Sequence, residues 1–530
     1  MSWRNIFLAG GALLLLSACD EDNPSMRDYV TVTTSEKEVS FDLYANIEDV
    51  QPLEVILQSE REARVMYSWF KVTDNQNDIV CYQGEISGKG ELSLPCRFTE
   101  EQFASDFPKH TMTTNRYYCR ASVLLGDEEE TFQSDTIAMH PSLPEGILQV
   151  WVYTENGEEP TCEFVDAPAE AMNSFSITNA TKIPGRVCLK AHNTVVYDSG
   201  DYVVNESGMT FKIRGNTSAA LAKKPYKIKL QRKADLLDRG EQYADKDWVL
   251  LGSGTDLKTY IGLKVSSYAG FEWVPSMAFC NLIVNDEYRG LYILTEQIER
   301  DKNCRISIDK EGYLIEYDAY WWNEELSFEN AVYNSKLRWT FKYPAPSEIT
   351  DEQLAYIRHY IHLCEEAVSL QGEYEKLIDV KSFANWLLVH DVLGFSDGAG
   401  SNLYFSKNDM GDSPLKMETP WDFDSMFRNS ESWSSIHQRA WFWYPDLLSG
   451  INPSFRNVYK QTWWTLCDKI SQNLWVDIAK DLNEEELEYS RVLDGKRWDV
   501  CNQFLLTEIE ETKAWIDRQN AYLSVAIENI

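Results

Sequence analysis

Apolar residues alternate with polar ones through most of the chain up to Asp318 and switch to helical spacing from Asp351 onward. That pattern requires a strand-rich part followed by a helix-rich part. Within the strand-rich part, Pro141-Ser-Leu-Pro144-Glu-Gly146 breaks the alternation with two prolines and a glycine and predicts a boundary. Before it, residues 28–140 carry short alternating runs such as Val30-Thr-Val-Thr-Thr, Val39-Ser-Phe-Asp-Leu and Leu53-Glu-Val-Ile-Leu between turn-rich breaks, the pattern of an all-β sandwich. After it, Met209-Thr-Phe-Lys-Ile-Arg, Pro225-Tyr-Lys-Ile-Lys-Leu, Asn281-Leu-Ile-Val and Gly290-Leu-Tyr-Ile-Leu continue as strands. Phe383, Trp386, Leu387, His390 and Leu393 share one face of a helix over 380–393, which Gly394 ends. A chain of 530 residues has room for about two to four domains of this kind, so the expected fold is multidomain, an all-β unit followed by an α+β unit.

Lys and Arg total 50 against 84 Asp and Glu. The resulting net charge of −34 repels nucleic acid, and no nucleic-acid role is expected. Near the start, Arg4 precedes an apolar run from Ile6 to Leu16 that is too short to span a membrane and ends in small residues, as export signals do. Leu16-Ser17-Ala18-Cys19 resembles the lipobox of bacterial lipoproteins, and Asp20-Glu21-Asp22 resembles the acidic signal of Bacteroidetes-type surface lipoproteins. The resemblance implies a signal peptide over 1–19, lipidation of Cys19, a linker over 20–27, and attachment to the membrane through that lipid. The expected location is the cell envelope, at the outer membrane, with display on the cell surface as the further option. Ten cysteines remain after Cys19, and an oxidising compartment would permit disulfides among them. No Cys-x-x-Cys or His-Glu-x-x-His occurs, which argues against a structural zinc or a zincin site.

Tyr67-Ser-Trp69-Phe and Asn115-Arg-Tyr117-Tyr-Cys119 resemble the strand C tryptophan and the Tyr-x-Cys corner of immunoglobulin-like domains. An immunoglobulin-like sandwich over 28–140 is implied, acting as a spacer or as a platform for a glycan or protein ligand. Leu53 to Leu57, where such domains carry the partner cysteine, has none. Cys119 is then free, paired with Cys81 or Cys96, or simply packed.

Residues 395–427 carry the densest chemistry. Asp397 and Asn402 follow the helix at Gly394, Leu403-Tyr-Phe405 reads as a strand, Asn408-Asp-Met-Gly411 turns, Leu415 to Thr419 returns, and Asp422-Phe-Asp424 follows. Protein kinases place a catalytic Asp, a metal-binding Asn four intervening residues later, and a second metal-binding Asp beyond a hairpin in this order. Phosphoryl transfer needs hard oxygen ligands to hold a divalent cation against the phosphates, and one carboxylate aimed at the attacking oxygen. Asp and Asn are also common turn residues, so the stretch alone is compatible with ordinary capping roles.

Several segments together resemble the CotH-type kinases, the spore coat protein H family. They are Phe211-Lys-Ile-Arg214-Gly215-Asn216-Thr217-Ser218, Lys223-Lys-Pro-Tyr-Lys227-Ile-Lys229-Leu, Asp247 to Asp256, Asn285 to Glu296, Gly312 to Asp318 and the closing segment from Trp515, spread over roughly 146–526. This implies an α+β atypical protein-kinase-like domain that uses ATP and Mg2+ or Mn2+ to phosphorylate Ser or Thr of an envelope or extracellular protein. Asp397 would be the catalytic base, with Asn402 and Asp422 as metal ligands and Asp424 as a supporting or alternative ligand. Lys229, with Lys227 as the alternate, would bind phosphate; Glu296 would orient that lysine or contact the nucleotide; Arg214 would touch phosphate or hold a turn. Where the family carries an Arg-Asn pair in the helix after Asp256, this chain reads Tyr260-Ile-Gly262-Leu-Lys264, with Lys258 or Lys264 as the available substitutes. The alternative is a non-catalytic surface lipoprotein on a degenerate kinase fold that binds glycan or protein. A glycosidase using Glu296 and Glu316 has no supporting motif.

Overall fold

The computed structural model describes residues 25–75, 77–253, 255–394, 402–427 and 441–530. The expected signal segment and Cys19 lie outside them. Among the described residues, no helix is long and apolar enough to cross a membrane. The chain divides into two compact units, Met1–Pro108 with Thr113–Pro141, and Lys109–Met112 with Ser142–Ile530.

The first unit is built on strands. Its longest, Leu53–Lys71 and Ile79–Cys96, form one antiparallel hairpin whose register shifts between Ser59 and Ala63. Such an irregularity lets a hairpin bend. The two halves accordingly take different neighbours: Val30–Thr34 pairs with residues 55–59, and Asn115–Leu125 pairs with residues 64–71. Alternate residues of both halves, among them Leu53, Val55, Leu57, Val65, Trp69 and Leu94, meet in one core. Trp69 lies opposite Cys119 on the neighbouring strand, and its indole Nε1 donates to the Leu94 carbonyl at 3.2 Å, tying one half of the hairpin to the other.

In the second unit, an eight-stranded sheet runs in the order Thr194–Asp198, Ile183–Ala191, Met209–Ile213, Tyr226–Ala234, Asp245–Leu251, Glu287–Glu296, Met277–Val284, Leu148–Thr154. Leu148–Thr154 then pairs with Ile183–Ala191, so all strands but Thr194–Asp198 close into a ring. Closure gives each strand an inside and an outside. Phe211, Ile213, Ile228, Leu230, Trp248, Leu250, Leu282 and Leu294 fill the inside. Residues of opposite parity, including Lys212, Arg214, Lys227 and Lys229, face outward.

A second, antiparallel sheet has the order Ser327–Phe328, Arg338–Tyr343, Tyr313–Asp318, Leu403–Lys407, Lys416–Met417. It packs with the helices Asp351–Ser369, Val380–Leu393, Ser454–Asp481 and Leu505–Glu528 around one large core. The helix Val380–Leu393 has the bounds that the sequence spacing predicts. Asp379 caps its start through the Ser382 amide, and Gly394 ends it at φ 57°, with Trp515 against the space a side chain would need. The hairpin Leu403–Lys407 to Lys416–Met417 follows, as the sequence also predicts, with Phe405 opposite Met417. Lys407, wholly buried, holds the intervening turn by donating to the carbonyls of Gly411 at 2.9 Å and Ser413 at 2.6 Å.

Candidate functional site

The outer face of the closed sheet and one face of the second sheet border a cavity of about 990 Å³. Its lining is divided by charge. On one wall, Lys212 and Arg214 project from the same strand two residues apart, and the turn Gly215-Asn216-Thr217 continues the rim. Gly215 sits at φ 83°, a conformation that favours glycine, and lets the chain turn directly after Arg214. Asn216 is held by Ser176, whose hydroxyl donates to its side-chain oxygen at 2.6 Å. On the other wall stand Glu316, Asp318, Asn402, Asp422 and Asp424.

The structure brings Asn402 and Asp422 together from 20 residues apart, the Asn402 Nδ2 donating to Asp422 Oδ2 at 3.3 Å. Both lie in the left-handed region, at φ 69° and 68°, which Asn and Asp tolerate better than other side-chain-bearing residues. Non-glycine residues held there cluster at functional sites. Glu316 underlies this pair: one carboxylate oxygen accepts the Asn402 backbone N–H at 3.0 Å, and the other lies 2.9 Å from Lys342 Nζ. Burial pulls the Lys342 ammonium down, but Glu316 and the nearby Tyr404 and Glu324 outweigh it and hold the lysine well above its ordinary value. Asp318, two residues along on the same face, is pushed up to about 7 by burial and by the Glu316 charge.

Opposite them, burial lowers Arg214, an effect partly offset by Asp422 and Tyr404. Lys212 is also lowered by burial and then by Lys227. Among the described residues neither side chain has an ion-pair partner within 4 Å. Two cations directed into a cavity whose far wall is carboxylate can receive an anion and a divalent cation together, the requirement of a metal-bound phosphate. The donor set therefore fits ATP with Mg2+ or Mn2+: Asn402, Asp422 and Asp424 would supply hard oxygens, and Lys212 and Arg214 would meet the anion.

Of the residues singled out from sequence, Arg214, Asn402, Asp422 and Asp424 share this cavity. Asp397 lies outside the described residues. Lys227 and Lys229 do not line the cavity; they flank Asp247, at 2.5 Å and 3.7 Å. The ion pair expected between Lys229 and Glu296 is replaced by others. Glu296 lies opposite Trp248, an interior residue, and is held by Arg305 at 2.5 Å, Arg239 at 2.8 Å and the Ser276 amide at 2.8 Å. Lys229 lies opposite Asp247, whose parity is outward, so the two groups sit on different faces of the barrel. Glu316 lines the cavity and Glu296 does not, so these two carboxylates do not form a hydrolytic pair.

A second acidic group surrounds those lysines. Asp245, Asp247 and Glu299, and likewise Asp245, Asp301 and Cys304, bring ligand atoms within 4.8 Å of one another. Lys227 stands on Asp247, and Lys233 contacts Asp301 at 2.6 Å, so ammonium groups already neutralise this cluster. The cavity residues missed from sequence are Lys212, Glu316 as a support, Asp318 and Lys342. For Lys212 the signal was its parity with Arg214, and for Glu316 and Asp318 their alternation on one strand. Lys342 left no such mark.

No curated protein matches this chain. The family model described as "CotH kinase protein" matches residues 211–518, more than half of the sequence and a span that holds both walls of the cavity. The chain therefore belongs to the CotH kinase family.

Proposed function

We propose that this protein transfers the γ-phosphate of ATP to Ser or Thr of an envelope or extracellular protein. The observation that carries the reading is the facing of Lys212 and Arg214 against Asn402, Asp422, Asp424 and Glu316 across one cavity. Arg214 and Lys212 bind and orient the phosphate chain by charge-assisted hydrogen bonds. Asn402 and Asp422 hold the cation, which when bound neutralises charge on the transferring phosphoryl group. Glu316 fixes the Asn402 backbone, and Lys342 holds that carboxylate in place. Asp397 is assigned the acceptor's proton from its spacing to Asn402 and from the family resemblance.

The remaining parts of the reading rest on sequence. Export and lipid attachment at Cys19 would place the enzyme at the outer membrane, and the first unit would be an immunoglobulin-like platform for a glycan or protein. The Trp69–Cys119 pairing supports the latter. The test is incubation of the purified full chain with γ-labelled ATP, Mg2+ or Mn2+, and casein. Label should pass to protein in wild type and not in Asp397→Asn or Asp422→Asn. Nucleotide binding without transfer would replace the proposal with a binding protein on a kinase fold. Absence of any nucleotide-induced thermal shift would remove both.

A further inference from the structure

The first unit contains three core thiols, and the bent hairpin brings two of them to one point. Cys81 and Cys96 belong to the same strand, Ile79–Cys96, fifteen residues apart and too far to meet along straight β-structure. The bend between Ser59 and Ala63 turns the two ends of the hairpin toward each other. Trp69 records that closure: its backbone carbonyl accepts from the Cys81 thiol at 3.3 Å, while its indole reaches the Leu94 carbonyl. Cys96 is two residues beyond Leu94, shares its inward face, and is buried in the same core. Their mutual interaction lowers the Cys81 thiol and raises the Cys96 thiol. Cys119, opposite Trp69, is also buried, but the Cys81 thiol points to the Trp69 carbonyl, and the indole of Trp69 reaches Leu94 on the strand that carries Cys96.

We propose that Cys81 and Cys96 form a disulfide that clamps the two halves of the hairpin across the core, leaving Cys119 as a packed thiol. The immunoglobulin-like pattern bridges its two sheets with cysteines from different strands. Here one strand that passes through both halves supplies both cysteines, which explains why Leu53 to Leu57 needs none.

The reaction is thiol–disulfide exchange with a small external disulfide. Cys81 is the attacking thiolate: its interaction with Cys96 lowers it, and it is the less buried of the two. It attacks one sulfur of R–S–S–R, forming a mixed disulfide and releasing RS−. Cys96 gives its proton to that thiolate and displaces the second R–S−, which takes up the proton released by Cys81. The balance is two protein thiols and one external disulfide giving one protein disulfide and two RSH.

Glutathione disulfide applied to the full chain tests this, followed by alkylation and tryptic mapping without reductant. Lys89 separates Cys81 from Cys96, and Arg116 and Arg120 isolate Cys119, so each pairing gives a different cross-linked peptide. The expected product joins Cys81 to Cys96, with Cys119 alkylated. A cross-link to Cys119, glutathione retained on Cys81, or Cys81 and Cys96 both still alkylated would overturn the proposal. Independently, oxidation should raise the melting temperature of wild type and of Cys119→Ser but not of Cys81→Ser, because only the first two can close the loop. An equal rise in Cys81→Ser would also overturn it.

Discussion

Phe423 occupies the space that a side chain at Gly262 would need: a Cβ there would fall 2.3 Å from the ring. The helix Lys258–Ala269 is thus interlocked with Asp422-Phe423-Asp424, and Lys258 Nζ adds a hydrogen bond of 3.0 Å to the Asp424 carbonyl. This is where the chain departs from the family's Arg-Asn pair. Here the helix steers the loop that carries the proposed metal ligands by close packing as well as through Lys258.

Gly262→Ala tests that role. Alanine favours a helix over glycine by about 1 kcal/mol, whereas crowding a packed contact costs about 1–3 kcal/mol. The variant should therefore fold, with Phe423 displaced and phosphotransfer reduced about tenfold or more. Wild-type turnover in a folded Gly262→Ala protein would show that the loop does not depend on this contact.

The two walls of the cavity should fail differently. Arg214→Gln is expected to weaken nucleotide binding by about 10–100-fold with or without metal, the scale of a lost charge-assisted hydrogen bond. Asp422→Asn should abolish only the increment that Mn2+ or Mg2+ adds. Thermal shifts with ATP, with and without metal, separate the outcomes.

Lys342 and Lys229 form a contrasting pair. Lys229 is 58% exposed at its side chain, and Asp247 keeps Lys227, so Lys229→Met should change stability by no more than about 0.5 kcal/mol and leave nucleotide binding intact. Lys342→Met strips the ammonium from Glu316, whose side chain is only 7% exposed, and should cost about 3–5 kcal/mol. Adding Glu316→Gln to Lys342→Met should recover much of that stability without restoring activity. Denaturant unfolding and the kinase assay check both.

Glu418 sets a pH dependence. Burial pushes its carboxyl up to about 7, opposed by the Ser406 hydroxyl that donates to it. A raised folded value means that its contribution is complete below the unfolded value and is lost as pH rises through about 7. Glu418→Gln should therefore gain stability relative to wild type between pH 5 and pH 8, by roughly 2–3 kcal/mol. Melting curves at the two pH values measure it, and an unchanged difference would mean that Glu418 is not ionising in the fold.

Local signals made the centre of this site readable. Asp379 and Gly394 bound a helix by capping chemistry, and Asn408 to Gly411 turn a hairpin, so the order leading to Asp422 follows from neighbours in sequence. The basic wall depends on distant pairing. Whether Lys229 or Lys212 faces the cavity is set by how the ring closes around Trp248 and Phe211, which no single strand announces. Lys342 is recruited by pairing of Arg338–Tyr343 with Tyr313–Asp318, a contact between segments that alternation alone does not match.

Ring closure also separates the evolutionary unit from the mechanical one. The family match begins at residue 211, yet the strands Leu148–Thr154 and Ile183–Ala191, which join the ends of the sheet, precede it. A protein cut at residue 211 would keep every proposed ligand but expose two raw sheet edges, at residues 211–213 and at Met277–Val284, and should aggregate on expression. One cut at Ser142 keeps its staves and should remain monodisperse in size-exclusion chromatography. The recognisable kinase segment is, in engineering terms, a vessel whose hoop is supplied by sequence outside the family's signature.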